Sequence, residues 1–349
     1  MNKYIRINKR KIGWDFPTYI VAEMSANHNQ SFDKAVEIIK EAKNVGADAI
    51  KIQTYTAETI TLDIKNKYFN IDGTIWNGQN LYDLYKQAYT PWEWQAELKA
   101  IATHEGIDFF STPFDTTSVD FLEEIDVPLY KIASFELVDI PLISKIAETG
   151  KPIIMSTGMA TLGEIEEAVK TIKQTGNEKI ILLKCTSAYP ALPEEANLKT
   201  IPHLHQTFGV PSGLSDHTMG SAVAVAAVAM GACVIEKHFT LSRDDVGPDS
   251  SFSMEPDEFG SMVNDIRIVE KALGNVSYEL TKKQKESIHF RRSLFISSDI
   301  EPGEFLTESN VKSVRPAYGL HTRYYKEVIG KKAKTALKKG TPLTWELIQ

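Results

Sequence analysis

From residue 19 to about 274, short and almost wholly apolar runs alternate with longer stretches in which apolar residues return every three or four positions. YIVAEMSANHN leads into FDKAVEIIKEAKNVGA, and ADAIKIQTY is followed, after a long insertion, by PWEWQAELKAIATHEG. IDFFSTPF, VPLYKIAS and KPIIMSTG come next, the last ahead of TLGEIEEAVKTIKQTG. KIILLKCTS, VPSGLSDHT and CVIEKHFT complete the series, closed by PDEFGSMVNDIRIVEKALG. Continuous β-branched runs of this length predict strands buried on both faces, and the 3.6-residue period predicts helices laid against them. Eight strand–helix units in a row predict a (β/α)8 TIM barrel. The runner-up, an open doubly wound sheet, usually carries a glycine-rich nucleotide turn after its first strand, and none is present. The longest apolar stretch, AVAVAAVAMGACVI (222–235), falls short of a membrane span and suits a buried helix running into a strand.

The rhythm stops after residue 275. VSYELTKKQKESIHF is polar, so residues 276–288 read as a linker between the barrel (1–275) and a small domain (289–349). Within that tail, IEPGEFLTESNV matches LKKGTPLTWELI: Gly303 with Gly340, Leu306 with Leu343 and Thr307 with Thr344, all at an offset of 37. A duplicated turn–strand unit predicts a β-rich fold with pseudo-twofold character. Such a tail is too small for a large core of its own, so it is expected to pack on the barrel or on a second subunit.

Composition narrows the function classes. The 349 residues carry 39 Lys and Arg against 46 Asp and Glu, a net charge of −7. No basic excess is available to neutralise a nucleic-acid backbone. Two cysteines, Cys185 and Cys233, without Cys-x-x-Cys spacing, argue against a disulfide framework and for a reducing cytoplasm. The basic start MNKYIRINKRKIGW lacks an apolar h-region and is not expected to direct secretion.

The predicted strands nearly all end in reactive side chains, and in barrel enzymes that end is the active-site face. The series runs Glu23 with Asn27 and His28, Lys51 with Gln53, Ser111 with Thr112, then Lys131, Ser134 and Glu136. Ser156 with Thr157, Lys184 with Thr186 and Ser187, Ser215 with Asp216 and His217, and Glu236 with His238 follow. His217 and His238, 21 positions apart on what would be neighbouring strands, could hold Mn²⁺, Zn²⁺, Fe²⁺ or Co²⁺ with open positions for water and substrate. His28 is a weaker candidate that could equally cap the next helix. Lys51, Lys131 and Lys184, each inside an apolar run, need an anion to meet them. Interleaved with Ser111, Thr112, Ser134, Ser156 and Ser187, they read as a phosphate and carboxylate cradle. Lys51 as a Schiff-base nucleophile is the alternative. Glu136 and Glu236 could transfer protons or orient a partner. The aromatic insertion IWNGQNLYDLYKQAYTPWEW (75–94) could be a lid or a packed excursion.

Taken together, AEMSANHNQSFDKA, GADAIKIQTY, FFSTPFD, YKIASFE, IMSTGMAT, LKCTSAYP, GLSDHT and IEKHFT closely resemble the sialic acid synthase family, in order across most of the chain. RRSLF, GEFLTESNV and VRPAYGL resemble that family's C-terminal antifreeze-like (SAF) domain. The resemblance implies condensation of phosphoenolpyruvate with an open-chain N-acetylated amino sugar to give a nine-carbon sugar acid and phosphate. It implies a divalent metal on His217 and His238, commonly Mn²⁺, with Mg²⁺ or Co²⁺ as alternatives. It assigns phosphoenolpyruvate to Lys51, Thr112, Lys131, Ser134, Ser156 and Ser215; Ser187 stands where many relatives have Asn. Glu23, Glu136, Tyr189 and Asp249 match positions near sugar, metal or reacting water. Arg315, in VRPAYG, matches an arginine that enters a partner subunit's site, which implies a domain-swapped homodimer. EMSANHNQS, QTYTAETITLD and LYDLYKQAYTPWEW look more like the branch that makes pseudaminic acid from 2,4-diacetamido-2,4,6-trideoxy-L-altrose than like the N-acetylneuraminate branch; a legionaminic acid synthase is a further alternative. A non-catalytic carbohydrate-binding protein is the distant rival, with no need for so many functional strand ends.

Overall fold

The computed structural model describes residues 4–349. A short antiparallel hairpin, β1 (Ile5–Ile7) and β2 (Arg10–Ile12), leads the chain, with Ile5 opposite Ile12. Eight parallel strands follow: β3 (Tyr19–Glu23), β4 (Ala49–Thr54), β5 (Asp108–Pro113), β6 (Tyr130–Ile132), β7 (Ile153–Ser156), β8 (Ile180–Cys185), β9 (Ser212–Asp216) and β10 (Val234–His238). They close into a barrel in chain order, β10 pairing back onto β3 with His238 beside Glu23. This is the barrel that the alternating runs predicted, and the connecting helices begin where local chemistry places caps. The Ser31 hydroxyl accepts from the Lys34 N–H to start Phe32–Asn44, Asp115 does the same for Thr116–Glu124, and Thr161 with Glu164 forms a capping box for Leu162–Gln174.

Two apolar layers hold this unit together. The outer one joins strand residues such as Ile20, Ile50, Ile132, Met155, Leu182 and Ile235 to the helices. The inner one fills the barrel with Val21, Ala49, Phe110, Ile154, Ile181, Leu183 and Val234, and includes Ile5, Ile7 and Ile12 of the hairpin. The hairpin is therefore a plug in the barrel interior, each isoleucine worth about 1.5–3 kcal/mol for leaving water. The apolar 222–235 stretch divides as expected into the helix Ala222–Ala229 and strand β10. Among the described residues, no helix is long and apolar enough to cross a membrane.

The chain divides into two compact units after Gly274, the second spanning Asn275–Gln349. The polar segment read as a linker lies in that second unit and contains a short helix, Lys282–Glu286, capped by Thr281. Beyond it, β11 (Ser293–Ile296) pairs antiparallel with β12 (Val311–Val314), and most remaining order consists of single bridges and turns. The offset of 37 is a twofold relation in the hydrogen bonds. Ile300 and Leu337 exchange both N–H···O bonds. Gly303 donates to Ala333 as Gly340 donates to Ile296, and Leu306 donates to Lys331 as Leu343 donates to Leu294. Leu294, Ile296, Leu306, Ala333 and Leu343 share this unit's small core.

Candidate active site at the carboxyl ends of the strands

Because side chains alternate along a strand, the inner-core residues establish which strand-end groups point into the barrel. Val21 puts Glu23 inside; Ala49 puts Lys51 and Gln53 inside; Phe110 does the same for Thr112, Leu129 for Lys131, and Ile154 for Ser156. Leu183 directs Cys185 inward and Val234 directs Glu236 and His238. Two groups expected in the cradle fall on the other parity. Ser111 bonds to the Ile52 carbonyl and to Thr54, and half-buried Lys184 donates to the Cys185 carbonyl at 2.6 Å and to Thr186 Oγ1. In place of Lys184, the strand presents Cys185, a buried free thiol to which the apolar run gives no site role.

The remaining charged groups form one buried network. Lys51 Nζ lies 2.7 Å from Glu23 and 3.8 Å from Glu236, and donates to Thr112 Oγ1. Lys131 Nζ donates to Ser156 Oγ at 2.7 Å and lies 3.8 Å from the same Glu236 oxygen, which also accepts from Ser215 Oγ at 3.0 Å. Burial disfavours the charge on Glu236, but Lys131, Lys51 and Ser215 outweigh it and hold its pKa below the usual carboxylate range. For Glu23 burial prevails and the pKa rises, although Lys51 is closer to it than to Glu236. The difference follows from count rather than distance, since two ammonium groups serve Glu236. Burial likewise pulls Lys51 down, yet Glu23 and Glu236 carry it above its ordinary value, whereas burial prevails at Lys131 and lowers it. A protonated Lys51 is a poor Schiff-base nucleophile, so its environment favours the anion cradle over that alternative.

Beside Lys131 the cradle is lined by hydroxyls. A Cβ built on Gly158 would stand 2.7 Å from Ser134 Oγ and closer still to Ser187 Oγ, so both serines lean over this bare backbone. Glu136, in the turn Glu136–Val138 after β6, has an oxygen buried without a partner, and burial pushes its pKa up to about 7 against a backbone hydrogen bond and Lys131.

His217 and His238 meet with ring centroids 5.3 Å apart. His217 Nδ1 donates to the Thr186 carbonyl at 2.8 Å, so Nε2 is the lone-pair donor whenever the ring is neutral. Burial lowers its pKa, but Cys185 and the Thr186 carbonyl carry it above the ordinary value. His238 is buried, its Nδ1 has no partner, and burial followed by the nearby His217 and Lys51 charges pushes its pKa well down. A neutral imidazole with an orphaned buried nitrogen next to a second, oriented imidazole fits a divalent cation. Among the described residues no group of three or more His, Cys, Asp and Glu is arranged for a metal. His28 does not join them: its Nδ1 accepts from the Gln30 N–H, its Nε2 meets Thr90 Oγ1, and burial lowers its pKa to about 4.

An aromatic wall flanks the pair. The Tyr189 ring lies 4.3 Å from that of His217, Phe252 lies 5.0 Å from His238, and Trp76 stands 5.8 Å from Tyr189. Trp76 comes from the long insertion and donates its indole N–H to the Pro248 carbonyl, so the insertion reaches across the mouth and is more than a packed excursion. Next to Pro248, Asp249 accepts from Ser25 Oγ, which also receives Gln53 Nε2; burial raises the Asp249 pKa. Arg315 is in the second unit, exposed, with no ion pair among the described residues.

A family model described as the NeuB family matches residues 38–278. The chain belongs to the NeuB family. A SAF-domain model matches residues 291–349, so the NeuB-family barrel and its tail account for nearly all of the sequence and bear out the resemblance to sialic acid synthases. A pseudaminic acid synthase of Helicobacter pylori is 47% identical over 334 residues, 95% of this chain and 98% of the relative. One from Campylobacter jejuni is 46% identical, covering 94% and 96%. Among solved structures, an N-acetylneuraminic acid synthetase of Leptospira borgpetersenii in complex with citrate superposes with a TM-score of 0.73 at 35% identity, covering 82% of this chain and 96% of that one. The Bacillus subtilis spore coat polysaccharide biosynthesis protein spsE gives 0.68 at 32%, covering 99% of both.

Proposed function

We propose that this NeuB-family chain condenses phosphoenolpyruvate, 2,4-diacetamido-2,4,6-trideoxy-L-altrose and water to pseudaminic acid and phosphate. The observation that carries the reading is the stacking of two unlike sites in one barrel mouth: a dianion cradle on Lys51 and Lys131, directly beside two imidazoles. The near-full-length identity to two pseudaminic acid synthases selects the acceptor. A divalent cation held by His217 and His238, Mn²⁺ in the first instance, supplies Lewis acidity toward an aldehyde oxygen when bound. Lys51 and Lys131 neutralise the carboxylate and phosphate, drawing their ammonium groups from Glu23 and Glu236 toward the substrate. Thr112, Ser156 and Ser215 hold those groups in line, while Ser134 and Ser187 receive phosphate oxygens over Gly158. C3 of phosphoenolpyruvate bonds to the aldehyde carbon, water adds at C2, and the C–O bond to phosphate breaks. Glu136, near neutrality in pKa, is suited to move a proton in these steps. Tyr189 and Asp249 face the sugar.

The assay is phosphate release from phosphoenolpyruvate and Mn²⁺ with three acceptors: the altro sugar, its manno isomer and N-acetylmannosamine. Preference for the altro sugar is expected. Preference for the manno isomer would favour a legionaminic acid synthase, of which a Campylobacter jejuni example is 39% identical. Release with none of the three would return the carbohydrate-binding reading. Two further parts of the proposal rest on the family resemblance. Arg315 acts in a partner's site within a domain-swapped homodimer, so Arg315→Ala should weaken sugar use more than phosphoenolpyruvate binding, and equal loss of both would count against it. The enzyme works in the cytoplasm, consistent with two buried free thiols, and cell fractionation checks this.

A further inference from the structure

Behind the two histidines, on the outer face of the barrel wall, lies an ion pair that takes no direct part in the chemistry above. Asp216 and Lys237 are register partners on β9 and β10, one residue before each histidine, and their side chains are 1% and 2% exposed. Lys237 Nζ lies 2.7 Å from Asp216 Oδ2 and also donates to the Thr218 carbonyl at 2.6 Å. Asp216 Oδ1 in turn accepts from the Thr218 N–H and hydroxyl at 2.9 and 2.8 Å. One ammonium thus binds the residues on both sides of His217 while its own backbone is followed directly by His238. One register position earlier Ser215 donates to Glu236 on the inner face, so the Asp216–Lys237 pair is the outer-face link between the two strand ends. The His217 ring is anchored to Thr186, and His238 Nδ1 has no partner.

The bare stability argument does not account for this pair. A fully buried ion pair on a face otherwise packed with Leu214, Ile235 and Ala227 is commonly matched or bettered by apolar residues of the same volume. What apolar residues could not supply is a directional link across β9 and β10 at the level of the imidazoles. We infer that Asp216 and Lys237 are positioning residues that set the separation and orientation of His217 and His238 for a shared divalent cation. This rests on the cation reading above and extends it to two residues that never touch the cation or substrate.

The test uses Mn²⁺ alone with the full-length protein, its free concentration read by electron paramagnetic resonance. Variants are Lys237→Met, which nearly preserves side-chain length, and the double variant Asp216→Asn with Lys237→Met, which removes both charges and leaves the Thr218 bonds available. Lys237→Met should weaken Mn²⁺ binding about 10-fold or more, the usual effect of losing an outer-shell partner. Its melting temperature should fall, because Asp216 is left buried and unpaired. The double variant decides the matter: its melting temperature should recover while Mn²⁺ binding stays weak. Phosphoenolpyruvate binding, measured calorimetrically, should be unchanged in both. Recovery of Mn²⁺ affinity together with the melting temperature would overturn the proposal and leave the pair a structural element only. If the unaltered protein binds no Mn²⁺, the cation reading itself fails and this inference falls with it, an outcome plainly distinct from tight binding in all three proteins.

Discussion

Gly158→Ala probes the anion cradle with the least disturbance elsewhere. Gly158 is buried but has no left-handed backbone, so alanine is compatible with its conformation. The new methyl would stand 2.7 Å from Ser134 Oγ and nearer to Ser187 Oγ, and 3.2 Å from Ser134 Cβ. Those are mostly the free ends of small side chains, which can rotate away at little cost to folding. Once rotated, they no longer point into the space over residue 158. A hydroxyl bond to a charged phosphate is worth about 1.5–3 kcal/mol. Losing the equivalent of one such bond lowers kcat/KM for phosphoenolpyruvate by about 10- to 100-fold, at 1.36 kcal/mol per factor of ten. The assay is continuous phosphate release at saturating sugar, with the sugar KM and the melting temperature as controls. Both controls should hold steady while the phosphoenolpyruvate KM rises. An unchanged phosphoenolpyruvate KM would show that Ser134 and Ser187 do not contact the anion, and a raised sugar KM alone would move the acceptor into that space.

Two other perturbations test the electrostatics. Lys51→Met leaves Glu23 buried without its ammonium partner, so the protein should lose about 3–5 kcal/mol of stability along with phosphoenolpyruvate binding; a melting temperature equal to that of the unaltered protein would contradict the network as drawn. Glu136→Gln should remove an inflection near pH 7 from the rate profile and also flatten the pH dependence of stability. Between the ordinary glutamate value of 4.5 and about 7 the folded protein keeps a proton that the unfolded chain has lost. Stability from this group is therefore full at low pH and declines as pH climbs through that window. A profile that keeps its inflection in the glutamine variant would assign the titration to another group.

Much of the site could be read from the chain because barrel enzymes concentrate function at one kind of position. Glu23, Lys51, Thr112, Lys131, Ser156, Ser215, Glu236 and the two histidines all end apolar runs, and the barrel does bring them to one mouth. Lys184 shows where that reasoning stops. It ends an apolar run just as Lys131 does, yet the strand turns it outward and Cys185 inward. In a parallel sheet buried on both faces, Ile181 and Leu183 look the same as Ile180 and Leu182, so no alternation marks the inner side. The insertion that carries Trp76 is legible as a candidate lid, but Phe252 is not, since an aromatic in a loop gives no local sign of what it will meet. The plug formed by Ile5, Ile7 and Ile12 did leave a signal in the alternation of IRINKRKI, too short to stand out beside the eight stronger runs.

The sequence by itself determined the architecture. Strand and helix periods, capping residues and the 37-residue duplication are local patterns, and each favours the same arrangement without help from distant parts of the chain. The tertiary structure alone decided direction and company. It chose which face each strand turned inward, set Glu236 between two lysines from β4 and β6, and laid Asp216 against Lys237 behind the histidines. Those relations depend on closure of the barrel, which brings together groups up to about 200 positions apart in the chain. Their charges and pKa values take their final form only in that dry, crowded interior.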